Sequence, residues 1–197
     1  MDSTSLIPTG EYLGTHGAQV HTDVQGNRWL VKPQEDFMNH LDAGTAALQQ
    51  LAGLTTPETR VVDLGNGQTA SAQRMLPSSP AFRGSFNVAR LSPADRMALQ
   101  KSHVLDWMLS NHDAHPGQFI RTPDGQLVGI DKGQAYRYFG RDKLDPGFHP
   151  NQYYGEREPV YNTMWRHYAK GHGQMDDPRT GELGQFVNRL QSIPDET

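Results

Sequence analysis

The 197-residue sequence contains no cysteine. Disulfide bonds and thiolate metal sites are therefore excluded, and a reducing compartment is compatible with the chain. The sequence also lacks any run of about 18 apolar residues, so we expect no membrane-spanning helix. Residues 1–5 lack the basic and then apolar layout of a signal peptide. We expect a cytoplasmic protein, or one delivered by a specialised secretion route that leaves no mark in the sequence.

Basic and apolar side chains are both scarce. Lys and Arg number 18 against 22 Asp and Glu, which gives a net charge of −4. A protein that neutralises nucleic-acid phosphates needs a basic surface, so we expect no nucleic-acid partner. Only 35% of the residues are hydrophobic, enough for one core or two small ones around Trp29, Trp107 and Trp165. The length favours a single domain with two lobes.

The first lobe, 1–77, is predicted to be rich in strands. Two strands flank the turn at 25–27, and the second of them covers 28–32. Two further strands are predicted at 59–64 and 69–76. Between these pairs, apolar residues at helical spacing predict a helix over 34–51: Phe37, Leu41, Leu48 and Leu51.

The second lobe, 78–197, is predicted to be mainly helical. It follows the Pro- and Ser-rich break at 77–80. Ser92 and Pro93 are typical of a helix start, because Ser caps free amides and Pro suits the first helical position. The predicted elements are a long helix, a small hairpin and two later helices: 92–110, 118–121 with 126–130, 160–170 and 182–193. The fold class is therefore α+β, with a minimal helical second lobe.

The residues after the long helix carry the strongest chemical signal. Asp113 lies in a loop, Gln118 follows it, and Asp131 ends the apolar strand that closes the hairpin. Phosphoryl transfer uses one carboxylate at the attacking hydroxyl, an amide or carboxylate oxygen on Mg²⁺, and a second carboxylate between metal and phosphates. The alternative is ordinary: residues 111–117 form a polar helix end, and residues 130–133 form a turn after a strand.

Three upstream features fit the same chemistry. Gly14 and Gly17 flank a predicted turn whose backbone amides could cover phosphates. Lys32 ends a strand, where its ammonium could reach phosphate oxygens. Asp42 lies in the next helix, on a face that could hold Lys32 as an ion pair. Taken singly, each has a simpler explanation: a hairpin glycine, an exposed lysine and a helix-surface carboxylate.

In this order, the features resemble the protein-kinase-like fold. The form Asn111-x-Asp113-x-His115-Pro-Gly-x-Phe119 looks like the phosphatidylinositol 3/4-kinase-like and HipA-like branch. The resemblance covers about 10–138, and the rest more loosely. It implies a small kinase that uses ATP with Mg²⁺, or with Mn²⁺.

The resemblance implies three groups of site residues. Those for nucleotide binding are Gly14, Thr15, His16, Gly17, Lys32, Asp42, Gln73, Met75 and Leu76. Those for catalysis are Asp113 at the acceptor hydroxyl, His115 shaping the loop, and Lys32 on the phosphates. Those for the metal are Gln118 and Asp131.

Three residues depart from the family pattern. Gln118 stands where Asn is usual, Asp42 where Glu is usual, and Lys132 where an aromatic residue is usual. The longer Gln118 side chain affects the geometry of a bound metal ion. The shorter Asp42 side chain requires its ion pair with Lys32 to be closer or bridged by water. None removes a carboxylate or the lysine, so the pattern favours an active enzyme.

The predicted function is transfer of the γ-phosphoryl group of ATP to a hydroxyl on a protein, a peptide or a small molecule. The alternatives are transfer of AMP by the same fold, and a catalytically silent nucleotide-binding or scaffold module of a larger polypeptide. A metal site at His112 and His115 is disfavoured because the HExxH spacing is absent. A serine hydrolase would need a Gly-x-Ser-x-Gly elbow, which is also absent. The sequence leaves the oligomeric state open.

Overall fold

The computed structural model describes residues 6–13, 17–65, 67–82, 86–111, 113–136 and 159–194. Gly14, Thr15 and His16 of the predicted phosphate turn therefore lie outside the described residues, as does His112. Within those ranges, no helix has both the length and the apolar character needed to cross a membrane.

The first part of the chain forms a five-stranded antiparallel sheet. Its strands are β1 (Ile7–Leu13), β2 (Ala18–Thr22), β3 (Arg28–Lys32), β4 (Thr59–Gly65) and β5 (Gln68–Arg74). Their order in the sheet is β1-β2-β3-β5-β4. Helix α1 (Asp36–Leu51) connects β3 to β4 and packs against β4 and β5. The predicted strand at 28–32 has the observed bounds, whereas the strand predicted to 76 ends at Arg74.

Asp23 holds the turn between β2 and β3. Its Oδ1 accepts hydrogen bonds from the backbone amides of Asn27 at 2.8 Å and Gln25 at 3.0 Å. Its Oδ2 accepts from the Trp29 indole at 3.0 Å, which ties the turn to the core. Gly26 supplies the left-handed backbone, at φ +79°, that such a turn needs. The turn thus sets the register that brings Lys32 to the end of β3.

The face that α1 buries is polar, which corrects the sequence interpretation. Phe37 and Leu51 are 63% and 50% exposed. The buried residues are instead Asn39, Asp42, Thr45, Ala46 and Gln49. The sheet beneath supplies hydrogen-bonding partners: the Asn39 amide donates to Thr69 Oγ1 at 2.9 Å. Pairing of this kind lowers the cost of burying a polar group, whereas Asn39 Oδ1 and Thr45 Oγ1 have no hydrogen-bond partner among the described residues.

The described residues of the second part form a three-stranded sheet and three α-helices. The strands are β6 (Ser79–Pro80), β7 (Phe119–Arg121) and β8 (Leu127–Gly129), in the order β6-β7-β8. The helices are α2 (Pro93–Met108), α3 (Val160–Ala169) and α4 (Gly181–Gln191). The predicted start of α2 is confirmed: Ser92 Oγ accepts from the Asp95 amide at 3.0 Å, and Asp95 Oδ2 accepts from the Ser92 amide.

A hydrophobic core joins α2, α3 and the second sheet. Its buried members are Val88, Leu91, Leu99, Ala114, Phe119, Val160, Tyr161 and Met164. Trp29 is buried in the first sheet and Trp165 is partly buried, as expected. Trp107 is 53% exposed, so its predicted place in a core is wrong. It lies about 100° around the helix from Asp106, on the solvent side of α2.

His103 on α2 is enclosed by α3. Its ring stacks on Tyr161, with 4.5 Å between the ring centroids, and its Nδ1 accepts from the Trp165 indole at 3.2 Å. Burial lowers the pKa of His103 from 6.5 to about 4, although the Asp106 carboxylate opposes this. The folded state therefore holds the neutral ring, whereas the unfolded chain takes up a proton below its ordinary pKa.

We predict that this difference destabilises the fold in mild acid. His103 contributes its full stabilisation above about pH 6.5 and loses it as the pH falls towards about 4. At about 1.4 kcal/mol per pKa unit, the loss between pH 7 and pH 5 is about 2 kcal/mol. Urea unfolding of the wild type and of His103→Asn, which retains a hydrogen-bond acceptor for Trp165, measures it. Equal loss of stability in both proteins between these pH values would contradict the assignment.

Candidate active site

Lys32 is paired with two carboxylates from different parts of the chain. Its Nζ lies 2.8 Å from Asp42 Oδ2 and 3.1 Å from Asp131 Oδ1. The side chains of Lys32 and Asp42 are only 12% and 1% exposed. The contact with Asp42 is direct, so the shorter side chain at this position does not require a bridging water.

Ser71 fixes the Asp42 carboxylate. Its hydroxyl donates to Asp42 Oδ2 at 2.5 Å. Ser71 on β5 is the register partner of Lys32 on β3, so the two side chains lie beside each other on one face of the sheet. Local sequence patterns do not reveal the role of Ser71, because its partner is 29 residues away and lies on another element.

Asp131 lies where β8 ends, with its backbone in the left-handed region at φ +57°. Its Oδ1 contacts Lys32, and its Oδ2 accepts from Gln118 Nε2 at 3.5 Å. Burial would raise the pKa of Asp131, but the Lys32 charge and the hydrogen bonds from Lys32 and Gln118 outweigh it and hold the pKa below its ordinary value. For Lys32, burial is likewise outweighed by Asp42 and Asp131, and the net pKa is raised. Both groups are therefore charged at neutral pH.

Gln118 connects the two aspartates of the predicted motif. Its Nε2 donates to Asp113 Oδ2 at 3.2 Å as well as to Asp131. The Gln118 side chain is largely buried, and its backbone carbonyl accepts from the Ile130 amide at 2.8 Å. That backbone bond keeps the residue next to the segment that carries Asp131.

His115 lies beside Asp113, with 3.8 Å between His115 Nε2 and Asp113 Oδ1. Its Nδ1 accepts from the Gly117 amide at 3.0 Å, so the neutral ring carries its proton on Nε2, towards the carboxylate. A Cβ at Gly117 would lie 2.8 Å from the His115 ring. Gly117 is therefore needed for this ring position, which the sequence analysis did not foresee.

The structure does not bring every predicted nucleotide residue towards Lys32. The Gln73 amide donates to Thr59 Oγ1 on β4 at 3.4 Å. The Met75 amide donates to the Arg28 carbonyl at 2.8 Å, and Leu76 follows it beyond the end of β5. Gly17 precedes β2 at φ +74°. The roles of Gln73, Met75, Leu76 and Gly17 at a nucleotide stay predictions.

The donor set suits a hard cation. Asp113 and Asp131 offer carboxylate oxygen atoms, which Mg²⁺ and Mn²⁺ prefer. Gln118 turns its Nε2 to both carboxylates, so its amide would have to turn over to add an oxygen ligand. Among the described residues, no cluster of three or more His, Asp or Glu side chains is arranged to hold a metal ion. A metal bound here would need further ligands from phosphates and water. This is usual for Mg²⁺, so the residues fit such an ion.

No protein-family model matches the chain, and no curated protein sequence matches it. The crystal structure of the Helicobacter pylori proinflammatory kinase CtkA is similar, with a TM-score of 0.56 and 14% identity over 68% of this chain and 59% of that one. HipA in the HipA–HipB–operator DNA complex of Shewanella oneidensis MR-1 has a TM-score of 0.48 and 10% identity, over 94% of this chain and 52% of that one. The chain thus spans between half and two thirds of either protein.

The similarity to CtkA establishes the fold. The predicted α+β protein-kinase-like fold is confirmed, with a strand-rich first part and a small, mainly helical second part. At 14% identity the likeness to CtkA shows the fold alone, and it does not extend to the phosphatidylinositol 3/4-kinase-like branch. The individual site residues rest on the geometry described above.

We predict that the two partners of Lys32 differ in their effect on stability. Asp42→Asn leaves a buried ammonium without its buried counter-charge and should cost about 3 kcal/mol of unfolding free energy. Asp131→Asn should cost less than about 1 kcal/mol, because the Asp131 side chain is half exposed and asparagine tolerates the left-handed backbone. Chemical denaturation of both variants measures the difference. Equal losses of unfolding free energy in the two variants would contradict the view that Asp42 is the structural partner of Lys32 and Asp131 the exposed one.

Proposed function

We propose that this chain is an ATP- and Mg²⁺-dependent phosphotransferase that moves the γ-phosphoryl group to a hydroxyl on a protein or peptide. One observation carries the proposal. Contacts run without a gap from Asp42 through Lys32, Asp131 and Gln118 to Asp113. The order of these residue types is the order in which a kinase site uses them.

The Lys32 end of this series is suited to binding the phosphates of the nucleotide. The ammonium is held by Asp42 and by the more exposed Asp131, so it can face phosphate oxygens without losing its buried counter-charge. Asp131 and Gln118 are the residues that would hold Mg²⁺. When bound, the ion would offset negative charge on the phosphates. The low pKa of Asp131 keeps that ligand ionised at neutral pH.

The Asp113 end of the series is suited to binding the acceptor hydroxyl. Its side chain is 41% exposed, so a hydroxyl can approach it from solvent. One oxygen is held by Gln118, and the other faces His115. A carboxylate oriented in this way can accept a hydrogen bond from the acceptor hydroxyl and orient its oxygen. Because one amide joins Asp113 to Asp131, the acceptor and the phosphates would be neighbours.

AMP transfer is the second candidate, because the departure at Gln118 alters the metal site. A longer side chain moves the amide relative to Asp131 and gives it more freedom than asparagine. A different position of the phosphates could follow.

We predict that label on the γ-phosphate of ATP is transferred to a protein acceptor and that label on the α-phosphate is not. The assay uses the purified chain with both labelled forms of ATP, Mg²⁺ and a mixture of candidate proteins, and it is read by gel autoradiography. Transfer from the α-phosphate would identify AMP transfer. Transfer from neither position, together with a melting temperature indifferent to saturating MgATP, would favour a silent module.

We predict that the two aspartates separate binding from turnover. Asp131→Asn should weaken metal-dependent ATP binding and abolish turnover. Asp113→Asn should leave ATP affinity within about twofold while it lowers kcat by about 10²- to 10⁴-fold, because its role begins with the acceptor hydroxyl. Calorimetric ATP titration and initial rates measure the two effects. Equal loss of ATP binding in both variants would show that the roles are assigned wrongly.

We predict that Gln118 makes the enzyme tolerant of Mn²⁺. Mg²⁺ demands octahedral geometry at about 2.0–2.1 Å, whereas a flexible glutamine pre-organises its ligand oxygen poorly. Gln118→Asn should move the ratio of rates towards Mg²⁺. Initial rates with each ion in the wild type, Gln118→Asn and Gln118→Ala measure this ratio. A Gln118→Ala variant with unchanged rate and metal preference would remove Gln118 from the metal site.

A further inference from the structure

A second ion pair is buried immediately behind the candidate site. Lys132 Nζ lies 2.9 Å from Asp106 Oδ1 and 2.8 Å from Oδ2. The two side chains are only 3% and 2% exposed. Lys132 directly follows Asp131, and it is the residue that departs from the aromatic of the family pattern. Asp106 lies on α2 and carries no predicted role.

Asp106 also holds the loop that carries Asp113. Its Oδ1 accepts from Asn111 Nδ2 at 3.0 Å, and its backbone carbonyl accepts from the Asn111 amide at 2.8 Å. Asn111 Oδ1 in turn accepts from the Asp113 amide at 3.3 Å. The Tyr161 hydroxyl of α3 donates to Asp106 Oδ2 at 2.7 Å. One carboxylate thus receives bonds from the Asp113 loop, from the Asp131 segment and from α3.

The backbone is left-handed at the two points where these segments reach Asp106. Ser110 and Asp131 have φ of +51° and +57°, which L-residues rarely adopt. Each directly precedes a residue held by Asp106, namely Asn111 or Lys132. At Ser110 this conformation is the usual end of a helix, because the amides of Ser110 and Asn111 donate to the carbonyls of Trp107 and Asp106 at 3.2 and 2.8 Å. At Asp131, outside any helix, such a conformation persists where the surroundings hold it.

The Lys132 side chain is enclosed by the hairpin that carries Gln118. Its Nζ lies 5.9 Å from the centroid of the Phe119 ring, and Phe119 directly follows Gln118. Gly129, at the end of β8, also lies next to the Lys132 ammonium, since a Cβ built there would be 3.4 Å from Lys132 Nζ. The ion pair therefore lies next to the three segments that carry Asp113, Gln118 and Asp131.

Stability alone does not explain a charged pair at this position. Replacement of a buried ion pair by neutral side chains of similar volume is often neutral or stabilising, because two charges no longer lose their hydration. We infer that Asp106 and Lys132 are positioning residues that set the separation of Asp113 from Asp131. The inference rests on the proposed function, in which these two carboxylates serve the acceptor and the metal.

The test is the double variant Asp106→Asn with Lys132→Met, in the whole chain. It removes both charges together, so no uncompensated charge stays buried, and an asparagine at position 106 still offers an oxygen to Asn111. We expect the melting temperature to stay within about 5 °C of the wild type. ATP affinity in the presence of EDTA should stay within about twofold. The additional affinity conferred by Mg²⁺ should be lost, and kcat should fall about 10²-fold, as expected for misplacement of about 1 Å.

The matched control is Lys101→Met, also a lysine replacement, on the same helix. It removes the ion pair with Glu182, which measures 2.6 Å and lies outside the contacts described above. This variant should keep the wild-type response to Mg²⁺ and the wild-type kcat.

Each outcome decides a separate question. A wild type that binds no MgATP would overturn the proposed function, and the inference with it. A wild type that binds and turns over ATP beside a double variant with unchanged Mg²⁺ dependence and kcat would overturn the inference alone. A double variant that melts early, or that loses metal-free ATP affinity as well, would assign the pair to general structural support.

Discussion

The ammonium of Lys32 is the point on which the candidate site depends. A buried cation is stable only beside opposite charge, and here Asp42 and Asp131 share it. These three residues belong to β3, to α1 and to the segment after β8. Their mutual attraction therefore holds the first sheet, its helix and the second sheet at one place. Asp131 completes this arrangement and still leaves half of its side-chain surface open to solvent.

The polar underside of α1 follows from the same constraint. A helix that carries Asp42 towards the sheet cannot bury only apolar residues, because an isolated carboxylate in an apolar layer is costly. Thr69 and Ser71 on β5 therefore pair with Asn39 and Asp42. Apolar packing is displaced to the end of the helix, where Leu48 and Ala52 meet side chains of α2 and α4.

Asp131 and Lys132 are adjacent on the segment after β8, have opposite charges and point to opposite sides of the chain. Asp131 turns to Lys32 and solvent, whereas Lys132 turns inward to Asp106. The left-handed backbone at Asp131 lies at the start of this divergence. The half-exposed carboxylate and the buried ion pair thus lie on two consecutive residues, which explains how a short hairpin can hold the Asp131 side chain firmly.

Features that depend on neighbouring residues could be predicted from the sequence. The strand at 28–32, the cap at Ser92 and the order of Asp113, Gln118 and Asp131 follow from local patterns and from short turns. Local patterns could not predict the buried face of α1, the exposure of Trp107 or the pairing of Lys132 with Asp106. Whether a polar side chain is buried depends on whether a distant element supplies a hydrogen-bonding or charged partner for it. Asp106 and Lys132 lie 26 residues apart on different elements, so no local periodicity could reveal that two charges would be buried together.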